Sequence, residues 1–438
     1  MRRLAGWGGA VVEACRVHRP ERRAEVGAVL RDGAEASYLA RGLGRSYGDA
    51  ALNGGAGVVS TLRLDRLLAF DPATGMLACE AGVTFADLLD VFLPRGFFPP
   101  VVPGTRHVTV GGAIAADVHG KNHPAAGSLG RWVEAIDLAL PSGEVVRCSR
   151  AERQELFRAT LGGMGLTGVI VAARLRLVPV PSAGMRARHR AFPGLAALMA
   201  GFGEGGDGFP YAMAWVDALA TGRALGRGVL SEGAHAAEFT APERPPRELS
   251  VPVPLPGWTL NPLTVGAFNR LHLARHRAPR EETVSARRFF HPLDAVGRWN
   301  RLYGRRGFVQ YQLAVPSDGA EAALREVLER VRRGGQAAYL GVLKRLGAAG
   351  EGPLSFPLEG WTLALDLPVR PGLRETVREL DRVTIAAGGR VYLAKDSFLD
   401  ADTFAAMYPR ADELRRVRAE VDPEGRIASS LARRLGLA

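Results

Sequence analysis

The sequence has few cysteines and no long apolar segment, and each absence excludes a class of protein. Its three cysteines, Cys15, Cys79 and Cys148, lie far apart, which disfavours a disulfide framework or a zinc site and favours a reducing cytosol. A membrane-spanning helix needs about 20 consecutive apolar residues, and no run in the sequence is that long. We also expect no signal peptide, because glycines interrupt the segment that follows Arg2 and Arg3.

Lysine is scarce although the chain is basic. The 57 basic and 45 acidic residues give a net charge of +12, which suits nucleic acid, an anionic membrane or a phosphorylated substrate. The arginines are scattered among acids rather than collected in a basic tract, which disfavours nucleic acid. The only lysines are Lys121, Lys344 and Lys395. Each is a candidate for a position that needs a compact ammonium group, although three lysines could also remain by drift.

The pattern of apolar residues predicts an α+β protein. With 47% apolar and 23% charged residues the composition is that of a globular chain. Short strands and helices mix in the first 180 residues, with a helix over 84–92 capped by Thr84 and a hairpin over 133–148. From 192 onward, strands and helices alternate as in an antiparallel sheet covered on one side by helices. Weak periodicity predicts a long mobile loop at about 240–290.

A glycine-rich loop follows the strand predicted at 36–42. Its sequence, RGLGRSYGD, lets backbone N–H groups approach a phosphate closely. The spacing G-x-G-x-x-x-G misses the dinucleotide fingerprint by one residue, and the residues that follow are poor helix formers. Both observations disfavour a Rossmann site.

Further motifs follow in order: PGT at 103, TVGGAIA at 109, DVHGKNH at 117, LGGMGLTG at 161 and YLAKD at 392. Together with the first loop they resemble the vanillyl-alcohol oxidase (p-cresol methylhydroxylase, PCMH) superfamily of FAD-binding oxidoreductases. Within it the chain is most similar to the decaprenylphosphoryl-β-D-ribose 2′-oxidase family, over nearly its whole length. The resemblance implies a PCMH-type FAD domain at 1–183, an inserted substrate domain at 184–388 and a C-terminal segment at 389–438 that returns to the FAD domain.

The resemblance also implies which residues hold the cofactor. The expected FAD contacts are Gly42, Leu43, Gly44, Arg45, Ser46, Tyr47, Gly48, Asp49, Gly104, Thr109, Val110, Gly111, Gly112, Ala116, His119, Gly165, Gly168, Ile170 and Tyr392. Many relatives carry, at the position of Arg45, a histidine that bonds covalently to the flavin. We therefore expect FAD to be bound non-covalently.

The same resemblance implies that all three lysines line the substrate and flavin pocket. The expected catalytic residues are Lys395, His119, Gln312 and Lys344, and the expected substrate contacts are Lys121, Gln310, Gln312, Lys344, Thr362 and Lys395, with no metal. Lys395 would stabilise the negative charge of the reduced flavin. The alternatives are that Lys395 forms a structural salt bridge, that Gln310 and Gln312 face solvent, and that His119 is a core residue.

The implied activity is the oxidation of a secondary hydroxyl on the ribose of a prenyl-phosphate sugar, the first half of an epimerisation toward a cell-wall arabinan precursor. A separate NADH-dependent reductase would complete the epimerisation, and the lipid would bring the enzyme from the cytoplasm to the inner face of a membrane. Thr362 and Ala364 stand where the family usually has Asn and Cys. The alternatives are an oxidase or dehydrogenase of soluble sugars, polyols or aldonolactones, and a colourless basic nucleic-acid- or membrane-binding protein with a decayed flavin fold.

Overall fold

The computed structural model describes residues 1–203, 208–240 and 249–438. Within these ranges the chain mixes helices with three larger sheets, which confirms the predicted α+β class. Part of the loop predicted at 240–290, residues 241–248, lies outside the described residues.

The first sheet carries the glycine-rich loop at its end. It contains four strands in the order β1-β2-β4-β3, and β3 and β4 run parallel. The strands are β1 (Arg2–Ala5), β2 (Val12–His18), β3 (Tyr38–Arg41) and β4 (Gly57–Ser60), with helix α1 (Arg23–Asp32) between β2 and β3. Val26 and Leu30 of α1 pack with Tyr38 and Val59 in a fully buried cluster. This packing fixes the end of β3, from which the loop at 42–48 leaves the sheet.

The second sheet is antiparallel and supports the remaining glycine motifs. Its order is β5-β6-β10-β8-β9. The strands are β5 (Leu67–Asp71), β6 (Met76–Glu80), β8 (Val133–Ala139), β9 (Val145–Ser149) and β10 (Val169–Arg176), and a small ribbon pairs β7 (Phe97–Phe98) with β11 (Val178–Pro179). The helices of this part are α2 (Phe85–Phe92), α3 (Val110–Ala115), α4 (His123–Ala126) and α5 (Gln154–Thr160). Thr84 caps α2 as predicted, because its hydroxyl accepts a hydrogen bond from Asp87 N at 3.1 Å.

The third sheet has eight strands and is antiparallel throughout. Its order is β16-β12-β14-β13-β19-β20-β18-β21. The strands are β12 (Gly184–Phe192), β13 (Tyr211–Val216), β14 (Gly228–His235), β16 (Arg280–Ser285), β18 (Phe308–Pro316), β19 (Gly341–Leu346), β20 (Gly360–Pro368) and β21 (Arg390–Val391). Helices α6 (Leu195–Gly201), α9 (Ala320–Arg333) and α10 (Leu373–Ala386) cover one face. The predicted sheet with helices on one side is therefore present.

Strand alternation divides β18 between two environments. Tyr311 points toward the helices, where its hydroxyl donates to Asp381 at 3.0 Å and lies 2.9 Å from Thr384 Oγ1. Gln310 and Gln312 point to the opposite face. That face, together with the glycine motifs, encloses the cavity described below.

The segment after residue 249 corrects the loop prediction. It contains β15 (Leu249–Ser250), α7 (Pro262–Arg275), α8 (Ala286–Phe290) and β17 (Val296–Gly297), besides β16. Asn261 caps α7 by accepting from Leu263 N and Thr264 N. Helix α7 escaped prediction because several of its large apolar side chains face solvent, so its burial pattern is not that of a core helix. Helix α6 begins only at Leu195, since Phe192 still belongs to β12.

The C-terminal segment contacts both the third sheet and the first. It consists of α11 (Ala401–Met407), α12 (Ala411–Val421) and α13 (Ser430–Arg434) after β21. Ala428 N donates to Tyr38 O at 3.0 Å, and Arg434 ion-pairs with Asp49 and Asp396. These contacts link the segment to the first sheet and to the glycine loop, and the predicted domain division stays a prediction.

Candidate active site

A deep cavity lies between the glycine motifs and the bare face of the third sheet. We call these sides the loop wall (residues 40–51, 103–119 and 164–170) and the sheet wall (the cavity-facing residues of β18, β19 and β20). Twenty of the predicted site residues line the cavity: Gly42, Leu43, Gly44, Arg45, Ser46, Tyr47, Gly104, Thr109, Gly111, Gly112, Ala116, His119, Gly165, Gly168, Ile170, Gln310, Gln312, Lys344, Tyr392 and Lys395.

The first glycine loop offers backbone donors to the cavity. Gly44 has φ +63°, and a Cβ there would collide with the guanidinium group of Arg41, so the position requires glycine. Arg41 holds the loop from behind by donating to Ala51 O at 2.6 Å and Ala5 O at 2.8 Å. The N–H groups of Leu43, Gly44 and Ser46 donate to no other described residue. Such clustered free N–H groups form an anion-binding nest.

Arg45 has an aromatic partner beside this loop. Its guanidinium lies 3.9 Å from the centroid of the Trp7 ring, as in a cation–π contact. Trp7 also meets Trp299 edge-on at 5.9 Å, and both tryptophans line the cavity. Asn300 donates to Trp7 O at 3.1 Å. The N-terminal segment and the turn before β18 are thereby joined at one end of the cavity.

The second part of the loop wall is built around Thr109. Its hydroxyl accepts from Gly112 N at 3.2 Å, which starts α3, and it packs directly against Gly42. A Cβ added at Gly104 would meet no atom within 4 Å. That backbone position therefore faces open space in the cavity, as a backbone that approaches a large ligand must.

His119 leaves one buried ring nitrogen without a partner. Its Nε2 lies 3.1 Å from Gln312 Nε2, whereas its Nδ1 is buried and has no hydrogen-bond partner among the described residues. Burial and the positive charge of Lys344 lower the pKa of His119 well below its ordinary value, so the ring is neutral at pH 7. Because the Gln312 amide nitrogen can only donate, Nε2 accepts and Nδ1 carries the proton. The ring thus has a free donor.

The backbone before His119 is held in an unusual conformation. Asp117 has φ +40°, which is uncommon for a residue with a side chain. Its buried carboxylate accepts from Gly130 N at 2.9 Å and from the hydroxyl of Ser355. These bonds offset the strain and fix the direction in which the chain presents His119.

Register places the polar side chains of the sheet wall in rows. Gln312 pairs with Ala364, and Ala364 pairs with Val342 on β19. In the next row Thr362 pairs with Lys344. Paired residues point to the same face of a sheet, so these side chains all face the loop wall. Gln312 Nε2 also donates to Thr362 Oγ1 at 3.1 Å, which fixes the amide.

A buried carboxylate, Asp366, lies beside this wall. It accepts from Gln310 Nε2 at 2.5 Å and from the Tyr303 hydroxyl at 3.3 Å. Gln310 also donates to the Tyr47 hydroxyl at 3.4 Å, and Lys395 Nζ lies 3.8 Å from the centroid of the Tyr47 ring. Burial raises the pKa of Asp366 to about 7. The charge of Asp366 acts on Lys395, whose ammonium group lies at the cavity.

Two of the three lysines present their ammonium groups to the cavity. Burial lowers the pKa of Lys395 to about 7, and Asp366 opposes that shift. Burial also lowers the pKa of Lys344 to about 8. Within the described part of the chain, neither Nζ atom has a hydrogen-bond or ion-pair partner. Two such cations favour an anionic ligand.

Five predicted site residues do not line the cavity: Gly48, Asp49, Val110, Lys121 and Thr362. Gly48 packs against Asp396 O, Asp49 ion-pairs with Arg434, and Val110 is fully buried in the core. Thr362 is fully buried behind Gln312. Contact of these residues with a ligand stays a prediction, and their visible contacts are with the protein itself.

Lys121 joins parts of the protein rather than opening into the cavity. Its Nζ donates to Phe289 O at 2.5 Å and lies 4.5 Å from the centroid of the Phe289 ring, while its backbone oxygen accepts from Ala212 N. Burial lowers the pKa of Lys121 to about 7, and nearby Lys344 adds to the effect. Lys121 therefore connects the motif at 117–123 to α8 and β13.

Sequence reasoning missed several cavity residues, among them Trp7, Leu293, Asp294 and Trp299. Asp294 ties its turn to the loop wall by accepting from Thr105 Oγ1 at 2.7 Å and from Arg106 N at 2.9 Å. These residues carry no motif, and only folding brings them to the cavity. Asp366 could have been found, because it follows Thr362 and Ala364 at the spacing of two that shares one strand face.

The cavity fits FAD by three independent observations. The first loop offers free N–H groups that suit a diphosphate. The backbone at Gly104 faces open space, and His119 has a buried, unpartnered Nδ1 aimed away from the sheet wall. Tyr392, whose hydroxyl donates to Ala116 O at 2.8 Å, closes the loop wall next to His119, with ring centroids 5.4 Å apart. A large cofactor with a diphosphate and a polar ring system would satisfy all of these groups.

Sequence similarity to known proteins also indicates an FAD site. Residues 15–149 match the FAD binding domain family, and residues 304–435 match the D-arabinono-1,4-lactone oxidase family. The chain is 40% identical to decaprenylphosphoryl-β-D-ribose oxidase of Mycolicibacterium smegmatis, over 100% of this chain and 98% of that protein. An uncharacterised protein of Streptomyces coelicolor is also 40% identical, over 81% of this chain and 100% of its own length. A putative D-arabinono-1,4-lactone oxidase of Neurospora crassa is 26% identical over 40% of this chain and 31% of that protein.

Proposed function

This chain belongs to the decaprenylphosphoryl-β-D-ribose oxidase family of FAD-dependent oxidoreductases, and from that premise we propose that it oxidises the 2′-hydroxyl of a polyprenylphosphoryl ribose to the 2′-keto sugar. The predicted family, its FAD-binding domain and its cofactor are thereby confirmed. In the proposed reaction C2′ loses a hydride to the acceptor that bound FAD would supply, and the hydroxyl loses its proton to a base or to water, so the sugar is oxidised by two electrons. The product is the intermediate of a ribose-to-arabinose epimerisation.

The observation that carries the proposal is the pairing of a nest for a diphosphate with unpartnered cations in one cavity. The loop wall supplies the nest, the sheet wall supplies Lys344, and Lys395 lies between them over Tyr47. When FAD is bound, it supplies the hydride acceptor. A phosphorylated sugar brings the negative charge that the buried ammonium group of Lys344 lacks.

We assign Lys395 to charge stabilisation at the reacting end of the cavity. Its ammonium lies over Tyr47, a residue of the first loop, so it belongs to the cofactor side as well as to the substrate side. A positive charge held in a site shielded from water stabilises negative charge that develops during hydride transfer. Asp366 favours the protonated form of Lys395, because it opposes the lowering of the pKa of Lys395 by burial.

We assign His119 and Gln312 to positioning. The Nδ1–H of the neutral His119 ring can donate to a ligand but cannot take up a proton there. Gln312 holds that tautomer and is itself held by Thr362. Lys344, which has no acceptor among the described residues, is the group that we assign to the phosphate of the substrate. Lys121 and Gln310 would act through the residues that they contact.

We propose that FAD is held without a covalent bond. The residue at the position where many superfamily members attach the flavin is Arg45, whose guanidinium cannot form that bond. The contact of Arg45 with Trp7 directs it toward the end of the loop. Denaturation in acid should therefore release all of the flavin into the supernatant.

The lipid of the proposed substrate requires the enzyme to reach a membrane surface. No helix in the described ranges combines the length and apolarity that a membrane span needs. We propose peripheral contact with the inner face of the membrane, and a separate NADH-dependent reductase that returns the keto sugar to the arabinose form. The net charge of +12 favours an anionic membrane surface.

Anaerobic bleaching of the flavin tests the proposal. The oxidised flavin band near about 450 nm should disappear when a short-chain polyprenylphosphoryl ribose is added. Free ribose, polyols and aldonolactones at the same concentration should leave the band unchanged. Bleaching by the free sugars alone would contradict the proposal.

The second candidate is oxidation of an aldonolactone or a related soluble sugar. It is favoured by the match of residues 304–435 to the D-arabinono-1,4-lactone oxidase family, a range that contains Gln312, Lys344 and Lys395. Lys344 argues for the phosphorylated substrate, since a neutral lactone would leave its buried ammonium group without an anionic partner among the described residues.

A further inference from the structure

Exposed apolar side chains are concentrated in one short part of the chain. Of fifteen exposed large apolar side chains in the described residues, eight fall between 249 and 296. They are Leu249, Val253, Trp258, Leu263, Phe268, Leu271, Leu293 and Val296. A patch of this kind marks a surface that meets another body, since isolated exposed apolar residues are scattered on ordinary surfaces. We call the residues from Leu249 to Leu271 in this group the apolar rim.

Helix α7 turns its apolar side outward. Val265 and Asn269 are its buried residues, and Asn269 Nδ2 donates to Asp217 Oδ1 at 2.7 Å, so this side of the helix is anchored on the third sheet. Leu263, Phe268 and Leu271 are 84%, 58% and 53% exposed. At about 100° per residue these three lie within one arc of the helix, away from the anchored side. Thr264 and Arg275 fall in the same arc and are exposed, so the outward side of α7 combines large apolar side chains with polar ones.

The charge of the surrounding segment has one sign. Residues 249–280 contain no aspartate or glutamate, although the whole chain has 45 of them in 438 residues. The same segment contains Arg270, Arg275 and Arg277, which are all exposed, while Arg280 at its end pairs with Glu282 at 3.0 Å. Apolar side chains flanked by arginines are typical of helices that lie in the headgroup layer of an anionic bilayer. A surface that binds another protein would have no reason to lack aspartate and glutamate.

The apolar rim is joined to the cavity. Strand β15 pairs with β17, Leu255 N donates to Arg301 O at 2.9 Å, and Trp299 next to that contact lines the cavity. Leu293 both lines the cavity and is 40% exposed, so it lies where the cavity meets solvent. A lipid chain that leaves the cavity at Leu293 would continue along apolar side chains.

We propose that the apolar rim is a docking surface for an anionic lipid bilayer, with Trp258 and the outward side of α7 inserted among the headgroups. This proposal rests on the proposed function, which supplies the reason why the enzyme would dock on a membrane. The observations that support it are the exposure, the charge and the position of these residues. The arginines meet the anionic headgroups, while the cavity opens toward the lipid phase.

Vesicle co-sedimentation of the FAD-loaded full chain tests this surface. Wild-type protein should bind vesicles that contain phosphatidylglycerol, should bind phosphatidylcholine vesicles weakly, and should lose binding as salt is raised. The variant Leu263→Glu/Phe268→Glu/Leu271→Glu should bind at least about tenfold more weakly, since it loses apolar insertion and gains three charges that the headgroups repel. The matched control Leu67→Glu/Leu68→Glu changes exposed leucines on β5 in another sheet and should bind as wild type does.

Each contrary result overturns the docking surface. Equal binding of the triple variant and wild type would do so, as would absence of wild-type binding to both vesicle types. A change in oligomeric state of the triple variant in sedimentation velocity, with vesicle binding retained, would assign the apolar rim to a second copy of the chain. Quenching of Trp258 fluorescence by brominated lipid, lost in Trp258→Phe, gives a second readout that does not depend on folding of the triple variant.

A short-chain soluble substrate separates this proposal from the proposed function. The triple variant should bleach its flavin with that substrate at the wild-type rate, because α7 contributes no residue to the cavity. Normal bleaching without vesicle binding by wild type would overturn the docking surface alone. Vesicle binding without bleaching by wild type would overturn the proposed function alone.

Discussion

The two walls of the cavity bind by different chemistry. The loop wall offers backbone N–H groups, and its key positions are glycines such as Gly44, where a side chain cannot fit. The sheet wall offers side-chain amides and a lysine placed by strand register. In our proposal the backbone of the loop wall binds the diphosphate that dinucleotide-like cofactors share. The side chains of the sheet wall can change one at a time, so we propose that this wall selects the substrate.

The largest effect is expected from the cation between the two walls. Lys395→Ala should retain bound FAD and lower the rate of flavin reduction by substrate by about 10²- to 10³-fold, because a charge that stabilises the transition state is removed. Stopped-flow absorbance under anaerobic conditions measures the rate. The rate of Lys395→Arg, which keeps the charge but not the shape of the side chain, should lie between the rates of the wild type and of the alanine variant. Full activity of the alanine variant would mean that Lys395 is structural.

A smaller effect on cofactor binding should follow a change in the loop wall. Gly44→Ala strains the backbone and displaces Arg41, so FAD affinity should fall by about 10- to 100-fold. Fluorescence of released FAD on dilution measures this affinity. Gly55→Ala is the matched control, since Gly55 has φ +75° but nothing within 4 Å of the added Cβ. The control should be destabilised by a similar amount but should keep FAD. Loss of FAD in both variants would refute the proposal that the first loop is an anion-binding nest.

The pH dependence of reduction should respond to Asp366. Lys395 acts in its protonated form, so the rate should fall as pH rises through the pKa of Lys395, which burial brings to about 7. The carboxylate of Asp366 raises that pKa, and Asp366→Asn should therefore move the loss of rate to lower pH.

Asp381→Asn is the matched control for this shift. Burial raises the pKa of Asp381 to about 7 as well, but its carboxyl accepts from Tyr311 on the helix-covered side of β18. The control should leave the pH profile of reduction unchanged. An equal shift in both variants would show that Asp366 does not act through Lys395.

The smallest effect is expected at Thr362, which shares the face of the sheet wall but does not line the cavity. Thr362→Val removes the oxygen that accepts from Gln312 and leaves that amide with one partner fewer. We expect KM for the phosphorylated sugar to rise by about fivefold with little change in kcat, as for loss of one hydrogen bond. Thr362→Ser should restore KM. An unchanged KM in Thr362→Val would show that the orientation of Gln312 does not depend on Thr362.

Local patterns predicted most of the loop wall, whereas folding assembled much of the rest. Gly42–Asp49 reads as an anion loop because glycine spacing is a property of neighbouring residues, yet Gly48 and Asp49 turn out to contact the C-terminal segment. Composition drew attention to Lys344 and Lys395, and the structure places both at the cavity. Composition also drew attention to Lys121, whose ammonium group instead contacts Phe289. Helix α7 was read as loop because its exposed side is apolar.

The sequence by itself determined the α+β class, the glycine loop and the candidate residues, since strand alternation, glycine spacing and rare residue types are local or compositional properties. The tertiary structure decided which candidates share one cavity. Trp7 and Trp299 line it although they come from distant parts of the chain, Asp366 lies beside it through its contact with Gln310, and Thr362 is fully buried behind Gln312. Contacts between such distant residues depend on the order and register of the strands. Order and register are determined by the packing of the whole core rather than by any local segment.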